Sequence, residues 1–148
     1  MAVATLALVG ALVAAYLTLY KLGYVGTLVC TVGSCEKVNS SRWAVLLGAP
    51  VAAWGLAAYL LLLGIALAGV QGAAPRAVAW ALAALSGGGV LVSAWLTYLE
   101  LFVIHGICIW CVTSATIMTL IFLISAVDLR RELRPEQVGT TAPRRSVS

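Results

Sequence analysis

Four cysteines stand in two close pairs, Cys30 and Cys35 in Cys-Thr-Val-Gly-Ser-Cys, and Cys108 and Cys111 in Cys-Ile-Trp-Cys. Thiols at such spacings form, break and exchange disulfides, with the thiolate as the attacking form. Cys108 and Cys111 fall at the predicted start of a helix, where side chains at i and i+3 lie one turn apart on a shared face. A helix N-terminus favours thiolate through its dipole and its free backbone N–H groups. Gly33 allows the turn that a short loop between Cys30 and Cys35 needs, and a small exposed ring of this kind can be reduced by another protein's dithiol. Three blander uses compete. Two structural disulfides suit an oxidising face, but a CxxC inside a helix staples no distant segments together. A zinc site has plausible ligand spacings, yet thiols on an oxidising face end as disulfides. Cys108 and Cys111 can also be inert buried thiols, although pairwise spacing twice over argues against coincidence.

The elements that must position these pairs are membrane spans. Hydrophobic residues make up 63% of the 148 and charged residues 9%, against about 25% charged in soluble domains. Apolar runs fall at 1–22, 46–70, 78–103 and 109–127, each long enough to cross the hydrocarbon core as a helix, and none alternates as a barrel strand does. The predicted fold is an all-α integral membrane bundle of four transmembrane helices, in which both cysteine pairs fall at one face. The first run has no Lys or Arg before Lys21 and exceeds a usual signal-peptide core, so it reads as a retained span. Residues 23–45 form the longest and most polar connection, carrying Glu36, Lys37, Asn39, Ser40, Ser41 and Arg42, and long ordered loops usually carry function. Residues 1–128 read as the membrane domain and 129–148 as a basic, disordered tail. Arg76, Arg130, Arg131, Arg134, Arg144 and Arg145 lie on one side against Lys21, Lys37 and Arg42 on the other, so the termini are expected in the cytoplasm and the first loop outside it. The basic residues behind the +4 net charge cluster in the tail and form no stripe for nucleic acid.

Two dithiols beside a membrane suggest an electron relay. One pair exchanges with a soluble protein, and the other passes two electrons to a lipid-soluble acceptor, most naturally a quinone. No CxxCH haem site, P-loop or dinucleotide-binding GxGxxG is present, and no metal ligands are assigned. His105 stands three residues before Cys108, as a proton-moving group or as a solvated interfacial histidine. Glu100 is a carboxylate within a span, and either a functional group or a solvated glutamate near the outer edge. Ser86-Gly87-Gly88-Gly89 reads chiefly as close helix packing, with room for a ligand as the other use. Trp43 and Trp110 read as interfacial belt residues, and Tyr16, Tyr20 and Tyr24 as one helix face.

Cys35-Glu36-Lys37-Val38-Asn39-Ser40-Ser41-Arg42-Trp43, Gly48-Ala49-Pro50-Val51, and Tyr98-Leu99-Glu100-Leu101 before the CxxC closely resemble the vitamin K epoxide reductase family over residues 1–128. The resemblance implies a quinone pocket capped by the first loop, and a bacterial type that couples disulfide formation in exported proteins to quinone reduction. It implies that Cys30 is attacked by a reduced thioredoxin-like partner and that Cys35 shuttles electrons to Cys108. Cys111 would then reduce the quinone, menaquinone or ubiquinone, with Ser41 against its ring. Some bacterial members carry a fused thioredoxin domain, for which the tail here is too short and too polar, so a separate extracytoplasmic partner is expected, at the inner membrane of the cell. Ala115 stands where animal members carry a tyrosine, which argues against the epoxide as substrate. Reduction of a vitamin K-type quinone or epoxide, and a non-enzymatic membrane scaffold with structural disulfides, are the other readings.

Overall fold

The computed structural model describes residues 1–26 and 34–134; Cys30 and Gly33 of the loop, and the tail with Arg144 and Arg145, lie outside the described residues. In chain order the elements are α1 (Ala2–Lys21), a short α2 (Cys35–Ser40), a 3-10 turn (Arg42–Ala44), β1 (Val45–Leu46), β2 (Ala49–Pro50), α3 (Val51–Val70), α4 (Pro75–Leu99) continued by a π-helical segment (Glu100–Ile104), and α5 (Ile109–Glu132). α1, α3, α4 with its π-helical extension, and α5 are long and apolar enough to cross a membrane. The protein is thus an all-α bundle of four such helices.

The second span begins at Val51, five residues later than its apolar run suggests. Val45–Leu46 instead pairs antiparallel with Ala49–Pro50, Val45 opposite Pro50 and Leu46 opposite Ala49. Leu47 and Gly48 turn between them at φ 54° and 81°, the positive φ at both positions that a type I′ hairpin turn needs. Glycine adopts this at no steric cost, whereas Leu47 is an unusual occupant. Pro50 then ends the hairpin and starts the helix, because its fixed φ suits the entry to a helix and its missing N–H costs nothing there. α4 starts earlier than its apolar run because Pro75 takes its first turn. α5 runs on to Glu132, with Arg130 and Arg131 in its last turn, where cations meet the negative end of the helix dipole.

α1 packs against α3 and α5, and α4 against the same two helices, closing a ring. The core is built from Ala7, Ala11 and Ala14 of α1, Tyr59 and Leu62 of α3, Leu82 of α4, and Ile117, Met118 and Ile121 of α5. Where lipid removes the hydrophobic drive between helices, close van der Waals approach holds them, and small residues permit it. Gly10 shows this directly: a Cβ there would overlap the ring of Tyr59, which is itself 1% exposed and cannot move aside. Leu8, Leu12, Leu60, Leu61 and Leu91 point outward, as they should toward lipid.

Gly10→Ala is therefore expected to cost about 1–3 kcal/mol of stability by overpacking. Gly64→Ala, where an added Cβ meets nothing within 4 Å, should be neutral or stabilise by up to about 1 kcal/mol from helix propensity. Thermal unfolding of the two variants in the same detergent checks the contrast.

Candidate active site

The short helix α2 is fixed to the α4–α5 junction by backbone. The Ser34 N–H donates to the Ile107 carbonyl at 2.8 Å, and Lys37 Nζ donates to the His105 carbonyl at 3.5 Å. Gly106 makes the approach possible, since a Cβ there would lie 3.1 Å from the Ser34 side chain. Cys35 and Cys108 are thereby buried in one cluster with Val38, at 1% and 0% exposure, and Ile104, Trp110 and Cys111 pack around them. Trp110, half-buried, also meets the ring of Tyr16 from α1 at 5.3 Å, so it packs beside the cysteines. Cys35 is disulfide-bonded, while Cys108 and Cys111 carry free thiols.

Cys108 and Cys111 do not both sit inside the helix. Cys108 is the N-cap residue of α5, in extended conformation at φ −100° and ψ 113°, and Cys111 lies in the first turn. The chain must turn from the end of α4 into α5 within a few residues, which leaves no room for another helical turn before Cys108. The Cys111 thiol donates a hydrogen bond to the Cys108 sulfur, and that bond is the largest influence holding the Cys108 thiol below its ordinary range. The backbone N–H groups of Cys111 and Trp110 add to it, against burial and the nearby Glu100 carboxylate. The helix N-terminus thus favours thiolate at Cys108, the cap position.

Glu100 is the second organiser. It is 4% exposed, and its Oε2 accepts the Cys108 backbone N–H at 3.2 Å while the carboxyl hydrogen-bonds the Cys111 side chain. It is no solvated surface glutamate. The π-helical segment starts at Glu100, whose carbonyl accepts the N–H groups of both His105 and Gly106, and such widened turns recur at functional sites. His105 closes the segment in the left-handed region at φ 51° and is exposed.

A cavity of about 530 Å³ opens inside the bundle beneath these groups, within the range of small-molecule sites. Lys21, Asn39, Ser41, Glu100 and Cys111 contribute to its wall near the loop, and Tyr59, Gly88 and Met118 lie along it deeper in the bundle. The Ser41 hydroxyl donates to the Val38 carbonyl at 2.7 Å. Of the Ser-Gly-Gly-Gly run, Ser86 is buried, Gly89 lets Met118 approach to within 2.7 Å of where its Cβ would be, and Gly88 faces open space on the cavity wall. The run therefore serves both packing and room. Tyr24 lies beyond the end of α1 and is exposed, apart from Tyr16 and Tyr20.

Two residues of the site escaped the sequence reading. Asn39 is 7% exposed, and its Nδ2 donates to the Cys35 carbonyl at 3.1 Å and to Cys108 Sγ at 3.8 Å. Its i+4 spacing from Cys35 was a usable signal, once the loop is known to contain a helix. Lys21 Nζ donates to the Asn39 carbonyl, and nothing in its sequence neighbourhood points there. Among the described residues, no group of three or more His, Cys, Asp or Glu is arranged to hold a metal ion.

Because the Cys111 hydrogen bond leads the depression of the Cys108 thiol, Cys111→Ala should move the Cys108 thiolate titration to higher pH. At a pH between the two titration points, the wild-type pair then holds more thiolate than the variant. Thiolate absorbance followed through a pH series checks the sign.

A buried cysteine cluster at the mouth of an apolar cavity, among four membrane-crossing helices, has the layout of a multi-pass membrane oxidoreductase. Residues 1–126 match the Vitamin K epoxide reductase family, whose chemistry is quinone-linked. The chain belongs to the vitamin K epoxide reductase family.

Proposed function

We propose that the protein is a thiol:quinone oxidoreductase that supports disulfide formation in exported proteins. A reduced thioredoxin-like partner transfers two electrons to the Cys30–Cys35 pair and leaves with its own disulfide closed. Cys35 then exchanges with Cys108, and the electrons pass to the Cys108–Cys111 pair. Closing that pair delivers two electrons to a quinone in the cavity, menaquinone or ubiquinone, which takes up two protons and leaves as quinol. Ser41 and Cys111, both on the cavity wall, are the ring contacts in this scheme.

One observation carries the reading. Cys108 shares a buried cluster with the disulfide-bonded Cys35 and a hydrogen bond with Cys111, which lines the cavity. Each group is thus beside the next in the order that the electrons need. Asn39 supports the exchange step, because its N–H groups hold both the Cys35 backbone and the Cys108 sulfur. The basic residues Arg76, Arg130, Arg131 and Arg134 support cytoplasmic termini in the inner membrane, with the cysteines at the extracytoplasmic face. Ala115 on the cavity wall offers no hydroxyl toward a bound ring, which favours the quinone over the epoxide.

Purified protein supplied with a reduced thioredoxin-like protein should reduce quinone, and Cys111→Ala should abolish that turnover. Cys30→Ala should lose turnover with the protein donor but keep it with a small-molecule dithiol that bypasses the loop. Full turnover by Cys111→Ala would sink the assigned electron path. No turnover by the wild type with any quinone would overturn the quinone as electron acceptor.

A further inference from the structure

Among the described residues, four titratable side chains line the cavity: Lys21, Tyr59, Glu100 and Cys111. The Lys21 ammonium donates to the Asn39 carbonyl, and the Tyr59 hydroxyl is engaged by the carbonyl and hydroxyl of Ser114 at 2.8 and 3.0 Å. Glu100 alone among them is a carboxylate, and it alone touches both members of the CxxC pair, through the Cys108 N–H and the Cys111 thiol. Burying a carboxylate at the end of an apolar helix is costly, and such groups mark proton or ion routes by default. Capping the Cys108 N–H does not require a charge, since a neutral carbonyl oxygen would accept that bond as well.

We infer that Glu100 is the proton carrier of the Cys108–Cys111 pair, taking the Cys111 thiol proton as the disulfide closes and delivering it to the acceptor in the cavity. The inference rests on the quinone reading above. The step balances as Cys108 thiolate, Cys111 thiol, quinone and one proton from water giving the disulfide and quinol. Two electrons leave the sulfurs as the S–S bond forms. The Cys111 proton crosses Glu100 to one carbonyl oxygen of the quinone, and the aqueous end of the site supplies the second proton. Closing the disulfide also removes the Cys111 S–H from Glu100. The proton taken from Cys111 then resides on the Glu100 carboxyl until the acceptor takes it.

Glu100→Gln keeps the shape and the oxygen that accepts the Cys108 N–H but cannot carry a proton. It should slow quinone reduction about 100-fold, with the Cys108–Cys111 pair accumulating as dithiol when trapped by alkylation during turnover, and Glu100→Asp should recover part of the rate. Infrared difference spectra of the full-length wild-type protein provide a second reading that needs no quinone. Chemical oxidation of the dithiol should produce the carbonyl stretch of a protonated carboxyl, shifted in Glu100→Asp and absent in Glu100→Gln. A folded Glu100→Gln protein within about twofold of the wild-type rate would overturn the assignment. So would wild-type spectra without the carboxyl band, which decides the matter if Glu100→Gln does not fold. If the wild type turns over no quinone but shows the band, the electron acceptor has been misassigned and the role of Glu100 stands.

Discussion

The arrangement depends on a backbone contact. α2 and the α4–α5 junction are 73 residues apart at Ser34 and Ile107, and one N–H to carbonyl bond of 2.8 Å joins them. No side chain has to be specified for that bond, but a side chain has to be absent, which is the role of Gly106. Once the contact forms, Cys35 and Cys108 are enclosed together, Lys37 reaches the His105 carbonyl, and Asn39 comes within reach of the Cys108 sulfur. α2 is thereby held as a lid over one end of the bundle, and the Ser34 N–H is satisfied where apolar surroundings would otherwise penalise it.

The same end of the bundle must hold a thiolate-favouring site and a buried carboxylate side by side. Like charges in such surroundings repel, and the two are reconciled by the way protons and hydrogen bonds are shared. The Cys111 thiol stands between Cys108 and Glu100 as a neutral partner to both, while the Cys108 N–H turns a backbone donor toward the carboxylate. Placing Cys108 at the cap position is what makes this possible. From inside the helix its N–H would be committed to the preceding turn, and Glu100 would lose its donor.

The spans, their number and the convergence of the CxxC with the first loop were legible because they follow from hydropathy and connection length. Leu46–Pro50 was not, since its apolar residues continue the span in composition and only Leu47 at positive φ and Pro50 reveal the hairpin. Glu100 was legible as an anomaly but not in its role. Its depth looked interfacial by residue count, whereas the π-helical segment and the lid enclose it. Trp110 was legible by its position at the helix start, but its ring contact with Tyr16 was not. Periodicity sees one element at a time, and both residues take their surroundings from a second.

The cavity follows from the same small residues that close the bundle. At Gly10 and Gly89 the space of a missing side chain is filled by Tyr59 and Met118, whereas at Gly88 it stays open. Tyr59 spans the bundle to Ser114, so its ring packs against Gly10 while its hydroxyl needs no other partner. The result is a space lined mostly by apolar side chains, with Lys21, Asn39, Ser41 and Glu100 gathered near the lid and the polar side chains of Tyr59, Ser93 and Ser114 farther along it. A planar apolar molecule with carbonyl groups at its ring matches that gradient. Its body is favoured along the apolar walls, and a carbonyl oxygen meets the charged groups of the cavity at the end where Cys111, Lys21 and Glu100 stand. In the proposed scheme, the polarity of the cavity favours one orientation of the acceptor before any single contact specifies it.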